Sequence, residues 1–506
     1  MKDKVITPSF FRRKNGSLFR RDVKTVFVII GLVAFAGCGD YLEENPDNRV
    51  ELNNVTKAAQ LLTNAYSSAS YSFTEWMSDN VAFTFGTTKL VEHNQAFNWQ
   101  DFTGINQDTP SNFWTSTYDA IAHSNEVLAV IDNLPGDQAR KDAVKAEALL
   151  TRAYGHFMLV NLFAKHFNRQ TADDDLGIPY VKEPETEFIK KYTRLNVEDV
   201  YDEIEDDLLE GLNLVDDSYY ANSGKYHFTR NAALAFASRF YLFKADYTNC
   251  LKYSNELLGA DPSIYVKDIP ALLQQRINTE DYIRLYHSPN DNSNLLLIRQ
   301  VSNFHLPNLG HWPSRDLYSE IYESNPWGLT DERQDPAWVA GENGLSATKF
   351  EFLFERSSLT SNVGLNYTIA LAFRGEEVLL NRAECYVNQN RVSQAIADLQ
   401  YLATKRYRPN GTTVPTLTIQ RLRQYYGAGS SSSFDRAITL EYIYSERTKE
   451  FMHEGLKWFD LKRFKIPVTH VLQDGSTITL EEDDERKVLQ IPQAAIDIGG
   501  LKPNPR

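Results

Sequence analysis

The chain has 506 residues and carries 53 Lys or Arg against 67 Asp or Glu, a formal net charge of −14. Its first 37 residues hold eight of the basic and two of the acidic side chains, so the remainder carries 45 basic and 65 acidic residues, net −20. Nucleic acid and anionic lipid are poor partners for so acidic a body, and three cysteines are too few for a disulfide framework or a zinc motif.

Taken in chain order, the first element is a leader. Arg12, Arg13, Lys14, Arg20, Arg21 and Lys24 precede an apolar run that is too short to span a bilayer and stops at Ala36-Gly37-Cys38. This is the layout of a cleaved signal peptide over 1–37. Cys38 is then the acylated first residue of the mature chain; in an ordinary signal peptide it would have no role. Asp40, Glu43 and Glu44 follow at once. No later stretch is long and apolar enough to cross a bilayer, so the mature body is expected to be soluble and held at a membrane by lipid.

Tyr71 to Trp114 is an aromatic, loop-like stretch that includes Trp76, Asp79, Asn80, Asn98 and Trp99. Helical periodicity then takes over. Ala146, Leu149, Leu150, Ala153, Phe157 and Val160 form one apolar face over about 142–167, and Val200, Ile204, Leu208 and Leu212 form the matching stripe of a helix capped by Asn196. Two further helix–turn–helix layouts lie at about 229–260 and 372–405, and with 142–215 they make three tetratricopeptide-like pairs. Leu149-Leu150-Thr151-Arg152-Ala153 nearly repeats as Leu379-Leu380-Asn381-Arg382-Ala383. Small residues, Ala245 with Cys250 and Asn390 with Ala395, stand where the paired helices are expected to cross. Cys250 and Cys385 read as buried free thiols.

From Pro262 to about Tyr367 the sequence is rich in Asn, Pro, Ser and Gly, carries Trp312, Trp327 and Trp338, and shows no sustained period. Long insertions of this kind are functional or disordered, and the aromatics argue against disorder. In the last third, 446–463 reads as one helix on which Phe451, Gly455, Trp458 and Phe459 share a face, with Gly455 permitting close approach and Arg447 one turn from Glu450. Acids and arginines among such aromatics imply buried, paired charges. His453-Glu454 is not a zinc-protease motif, since Lys457 stands where the second His belongs. A nucleophile elbow, a Walker loop and a dinucleotide fingerprint are absent from the sequence. Asp173-Asp174-Asp175 lacks calcium-loop spacing and reads as a solvated acidic turn.

Ser445-Glu446-Arg447-Thr448-Lys449-Glu450-Phe451-Met452-His453-Glu454-Gly455-Leu456-Lys457-Trp458-Phe459-Asp460-Leu461-Lys462-Arg463 resembles the signature of the SusD/RagB family of outer-membrane nutrient-binding lipoproteins. Trp114 to Asn125, Ala146 to Phe167, Gly177-Ile178-Pro179, Leu489-Gln490-Ile491-Pro492-Gln493 and Asn504-Pro505 extend the resemblance over the mature chain. It implies an all-α dominated, SusD-like fold with tetratricopeptide-like helix pairs plus a loop-rich aromatic insertion. Residues 38–506 would form one nutrient-binding domain, with a helical scaffold at about 50–260 and 365–465 and the insertion at about 262–365. It further implies a non-catalytic, surface-exposed lipoprotein of the cell outer membrane that binds an oligosaccharide or polysaccharide and passes it to a SusC-like TonB-dependent transporter, without cofactor or metal. A peptide ligand, a glycoside hydrolase with two carboxylates across a cleft, and a tetratricopeptide assembly lipoprotein are the alternatives.

A sugar offers apolar C–H faces and a rim of hydroxyls, so exposed rings beside amides, acids and arginines suit it. Trp76, Trp99, Trp312, Tyr318 and Trp327 lie outside the periodic helices and are the candidate platforms; Asp79, Asn80, Asn98, Arg315 and Asp316 are the candidate hydrogen-bonding partners. Trp114 and Trp458, inside helices, are expected in the core.

Overall fold

Five of the scaffold helices begin where a side chain satisfies one of their first free N–H groups. In the computed structural model, which describes residues 52–187, 190–220 and 223–506, Thr109 caps α1 (Pro110–Val130), Asp137 caps α2 (Gln138–Phe163) and Asn196 caps α3 (Val197–Leu214). Thr229 and Asp246 do the same for α4 (Arg230–Phe243) and α5 (Tyr247–Leu258). The leader, Cys38 and the acidic residues after it lie outside the described residues.

The three expected pairs are present. α2 packs on α3 and α1, α4 on α5, and α6 (Gly375–Asn388) on both α5 and α7 (Val392–Thr404). A Cβ at Gly211 on α3 would lie 2.7 Å from Leu150 Cγ, so the missing side chain sets the spacing to α2. Cys250 and Ala395 are buried at the helix contacts as expected, whereas Ala245 and Asn390 are the turn residues themselves, with φ of 54° and 61°. Both described cysteines are free and buried.

The near-repeat has a structural meaning. Arg152 on α2 forks onto Asp207 of α3 through two bonds of 2.7 Å, and Arg382 on α6 forks onto Asp398 of α7 at 2.8 and 2.6 Å. Arg239, at the equivalent place on α4, reaches instead to Glu377 of α6 and joins one pair to the next. All three arginines are buried, so each fork fixes the register of two helices at a point where water cannot replace the bond.

Helix dominates, and the strands of the described residues form small sheets. The insertion is more regular than its sequence suggests. It contains β1 (Asn294–Val301), β2 (Leu353–Arg356) and the start of β3 (Gly364–Arg374), antiparallel in the order β1-β3-β2, besides helices such as Arg315–Glu323. Leu295 to Ile298 is a continuous apolar run, buried throughout, and carries no alternation to read. β3 runs directly into α6 and so fixes the sheet to the helical scaffold.

The terminal signature departs from the single helix expected. α8 (Ser432–Glu450) stops, the backbone turns through His453 at φ 68° and Gly455 at φ 75°, and α9 (Leu456–Arg463) starts afresh. Arg447 does not pair with Glu450; it bonds Asp460 of α9 at 2.8 Å and Asn381 of α6 at 2.9 Å. Glu450 instead receives Arg406, Arg374 and Arg333. The expectation of buried, paired charge holds, and these acids are committed to packing. No helix among the described residues is long and apolar enough to cross a membrane.

Candidate functional site

The two aromatic, aperiodic stretches come together. Isolated bridges pair Ala69 with Val301, Ala82 with Trp312 and Thr88 with Leu309, so residues 69–88 lie along residues 301–312 of the insertion. Between them the rings of Trp76, Phe304 and Trp312 follow one another at 5.1 and 5.3 Å, and Trp312 meets His453 edge-on at 4.9 Å.

Packing of this kind leaves four of the five candidate platforms without a free face. Trp76 and Trp312 have no exposed surface, and Trp99 and Tyr318 retain 3% each. Trp99 Nε1 donates to the Met77 carbonyl at 2.8 Å, and Tyr318 Oη donates to that of Gln334 at 2.9 Å. Trp327 is half-buried against Tyr407 at 5.3 Å. These rings are the floor of the region. Trp114 and Trp458 are core, as expected.

The polar candidates divide. Asn80 is buried and donates to the Glu75 carboxylate, and Asn98 is half-buried and donates to the Asn94 carbonyl, so both are taken up by local bonds. Asp79 lies 3.5 Å from Lys457. Arg315 and Asp316 are exposed in the first turn of the Arg315–Glu323 helix, which begins at Ser314, bridged to Gly344.

The rings that do reach solvent lie on the same loop, nearer its turn. Phe83 and Phe85 meet edge to face at 5.1 Å, with Phe85 39% exposed. Their backbone is clamped by the insertion: Asn343 accepts from the Phe85 N–H at 2.8 Å and donates to the Phe83 carbonyl at 3.1 Å, while the Glu342 N–H donates to the Phe85 carbonyl at 2.8 Å. Lys89 Nζ sits 4.8 Å from the Phe83 ring centre and donates to Thr87 Oγ1 at 2.9 Å. Burial lowers the pKa of this ammonium. Half-buried Phe83, exposed Phe85, the Lys89 ammonium and the Asn343 amide therefore share one face. Such a face can cover an apolar surface while orienting hydroxyls. Sequence reasoning located the stretch but favoured its tryptophans; the alternation Ala82-Phe83-Thr84-Phe85 was the only local signal for the exposed pair.

Behind this face four rings stack in file. His311 lies on Phe97 at 4.1 Å, Phe97 on His470 at 4.4 Å, and His470 on Trp99 at 4.5 Å, all within 25° of parallel. His470 Nδ1 and Nε2 each contact a carbonyl, of Phe97 and Ser78, at 2.7 Å. Burial pulls its pKa down, while the two carbonyls push it up by favouring the doubly protonated ring. This file ties the loop to the hairpin of β4 (Val468–Val471) and β5 (Thr477–Leu480).

Comparison with known proteins covers most of the chain. The family described as "Starch-binding associating with outer membrane" matches residues 40–242, and the one described as "SusD family" matches 333–496. No curated protein matches the chain. Among solved structures, a putative sugar-binding protein from Bacteroides vulgatus aligns with a TM-score of 0.67 at 20% identity, over 90% of this chain and 99% of its own. A SusD superfamily protein from Bacteroides thetaiotaomicron gives 0.66 at 18%, over 90% and 100%. A laminarin-binding SusD-like protein gives 0.57 at 17%, over 89% and 98%. At these identities the likeness is one of fold.

Proposed function

This chain belongs to the SusD/RagB family, and on that premise we propose that it is a non-catalytic, cell-surface lipoprotein that binds an oligomeric glycan and delivers it to a SusC-like TonB-dependent transporter. The observation that carries the reading is the Phe83–Phe85 face, where half-buried Phe83 and exposed Phe85 are held by backbone bonds beside Lys89, Glu342 and Asn343. A rigid ring loses little entropy when a sugar stacks on it, which is what a reversible capture site needs. The structural neighbours described as sugar-binding and laminarin-binding support a carbohydrate ligand. Glu446, Glu450 and Glu454 of the terminal signature are each held in an ion pair with an arginine, which favours binding over hydrolysis.

Titration calorimetry of the protein against a panel of laminari-, malto-, manno- and xylo-hexaose tests the reading. Phe83→Ala with Phe85→Ala should weaken the bound hexaose by about 10- to 100-fold, the equivalent of roughly 1.5–3 kcal/mol for an apolar ring lost from contact. Full affinity in the double variant would place the site elsewhere, and binding of tryptic casein peptides in place of every sugar would favour the peptide alternative. The anchor is Cys38 in this proposal. Cys38→Ala should release the protein from membranes and abolish its labelling by a radioactive fatty acid; equal labelling of variant and parent would refute acylation there.

A further inference from the structure

The geometry points to a second saccharide subsite, in a separate cleft of about 420 Å³ that shares no lining residue with the Phe83–Phe85 face and fits the end of a neutral oligosaccharide. The inference rests on the glycan-binding reading above. Ligand sites commonly occupy about 300–1,000 Å³, so the cleft is large enough to hold sugar rings.

Its walls come from four separate parts of the chain. Ser116, Asp119 and His123 stand at i, i+3 and i+7 on α1 and so line one helix face, with the imidazole of His123 4.0 Å from Asp119. Asn64 enters from the short helix Leu62–Asn64, Arg299 from β1, and Tyr226, with 45% of its surface exposed, from the segment before α4.

The base of the cleft is fixed from beneath. Buried Glu147 accepts bonds from Tyr66 at 2.6 Å, Tyr220 at 2.8 Å and His227 Nδ1 at 2.7 Å, and Tyr66 Oη accepts the Phe228 N–H at 2.9 Å. At the rim, the Arg299 guanidinium lies 3.5 Å from the Tyr367 ring centre and pairs with Glu355, both side chains being exposed. Pre-set polar groups around an exposed tyrosine match what a sugar needs, since the ring takes a C–H face while Asn64, Asp119, His123 and Arg299 remain at the rim for hydroxyls.

Charge selects the class. The Arg299 cation is already matched by Glu355, and the Asp119 carboxylate, with 77% of its side chain exposed, faces the opening. A uronate or sulfated sugar would meet net repulsion, and a neutral one would not.

Calorimetry with the same four neutral hexaoses and with tetragalacturonate decides the matter, using Tyr226→Ala, His123→Ala and the Phe83/Phe85 double alanine variant, each checked for an unchanged melt. Tyr226→Ala and His123→Ala should each weaken the bound neutral hexaose by about 3- to 10-fold, what one lost stacking or bonding group gives. Adding Tyr226→Ala to the double variant should remove its residual binding. If only the Phe83/Phe85 variant loses affinity, the second subsite is overturned and the glycan-binding reading stands. Loss at the cleft variants alone sustains the cleft and overturns the Phe83–Phe85 assignment. Tetragalacturonate bound in a Tyr226-dependent way overturns the neutral class, and a panel in which no sugar binds overturns both proposals.

Discussion

Gly455 shows how much one residue without a side chain decides in this fold. At φ 75° it occupies the left-handed region, and an added Cβ would lie 2.7 Å from Thr74 Oγ1 and 3.0 Å from the Tyr71 carbonyl. Its N–H and that of His453 both donate to buried Glu75, at 3.2 and 2.8 Å, so the break between α8 and α9 is where the aromatic loop is fastened to the C-terminal helices. Gly455→Leu combines a backbone cost of about 1–2 kcal/mol with overpacking of about 1–3 kcal/mol. Urea titration should show that loss as a lower midpoint, with a smaller deficit for Gly455→Asn because Asn tolerates left-handed backbone. A leucine variant with the parental midpoint would mean that the loop and the α8–α9 junction are not in contact.

At the scale of elements, the arginine forks separate what sequence could reveal from what it could not. Arg382→Ala should destabilise by about 3–5 kcal/mol, because Asp398 is left charged and buried without its partner, whereas removing both with Arg382→Met and Asp398→Leu should recover most of the loss. Chemical denaturation of the two variants checks the pair; equal losses would show that the fork matters only through its packing volume. The helices that carry these forks were legible because burial on one face writes a 3.6-residue period into Leu149, Leu150, Ala153 and Phe157, and the repeated Leu-Leu-x-Arg-Ala marked equivalent positions. The partners were not legible, since Asp207 and Asp398 look like any acid on a helix. β1 was missed for want of alternation. The break at Gly455 was missed because apolar residues on either side of it stay in helical phase. In the candidate site, composition located the two stretches, but aperiodic sequence does not say which side of a ring faces water: Trp76, Trp99 and Trp312 went inward with Phe97 and Phe304, and Phe83 and Phe85 reach solvent.

For the whole molecule, the decisive quantity is the number of histidines buried in neutral form. Burial lowers His93 and His305 to about 4 and His156, His287 and His311 to about 3, against about 6.5 when unfolded. Each depressed group takes up a proton in the unfolded chain first, so its contribution to stability is complete above pH 6.5 and is lost as pH falls toward its folded value, at up to about 1.4 kcal/mol per pH unit. Glu446, lowered to about 2 against burial by Arg333 and Lys449, extends the same loss from about pH 4.5 downward. Buried Asp108 acts in the opposite sense. Its pKa is raised to about 6, so its contribution is present below about pH 3.8 and lost as pH rises through 6, which offsets one histidine only. The melting temperature should therefore fall steeply between pH 6.5 and 4. His305 is the clearest test: both ring nitrogens are buried without a protein partner among the described residues, and the ring lies 4.9 Å from that of Phe352. His305→Leu should change the melt little at pH 8 but stabilise the protein relative to the parent by about 2 kcal/mol at pH 5, since 1.5 units of proton uptake are removed from the unfolded side. Parallel pH–stability curves for variant and parent would show that His305 carries the same protonation in both states.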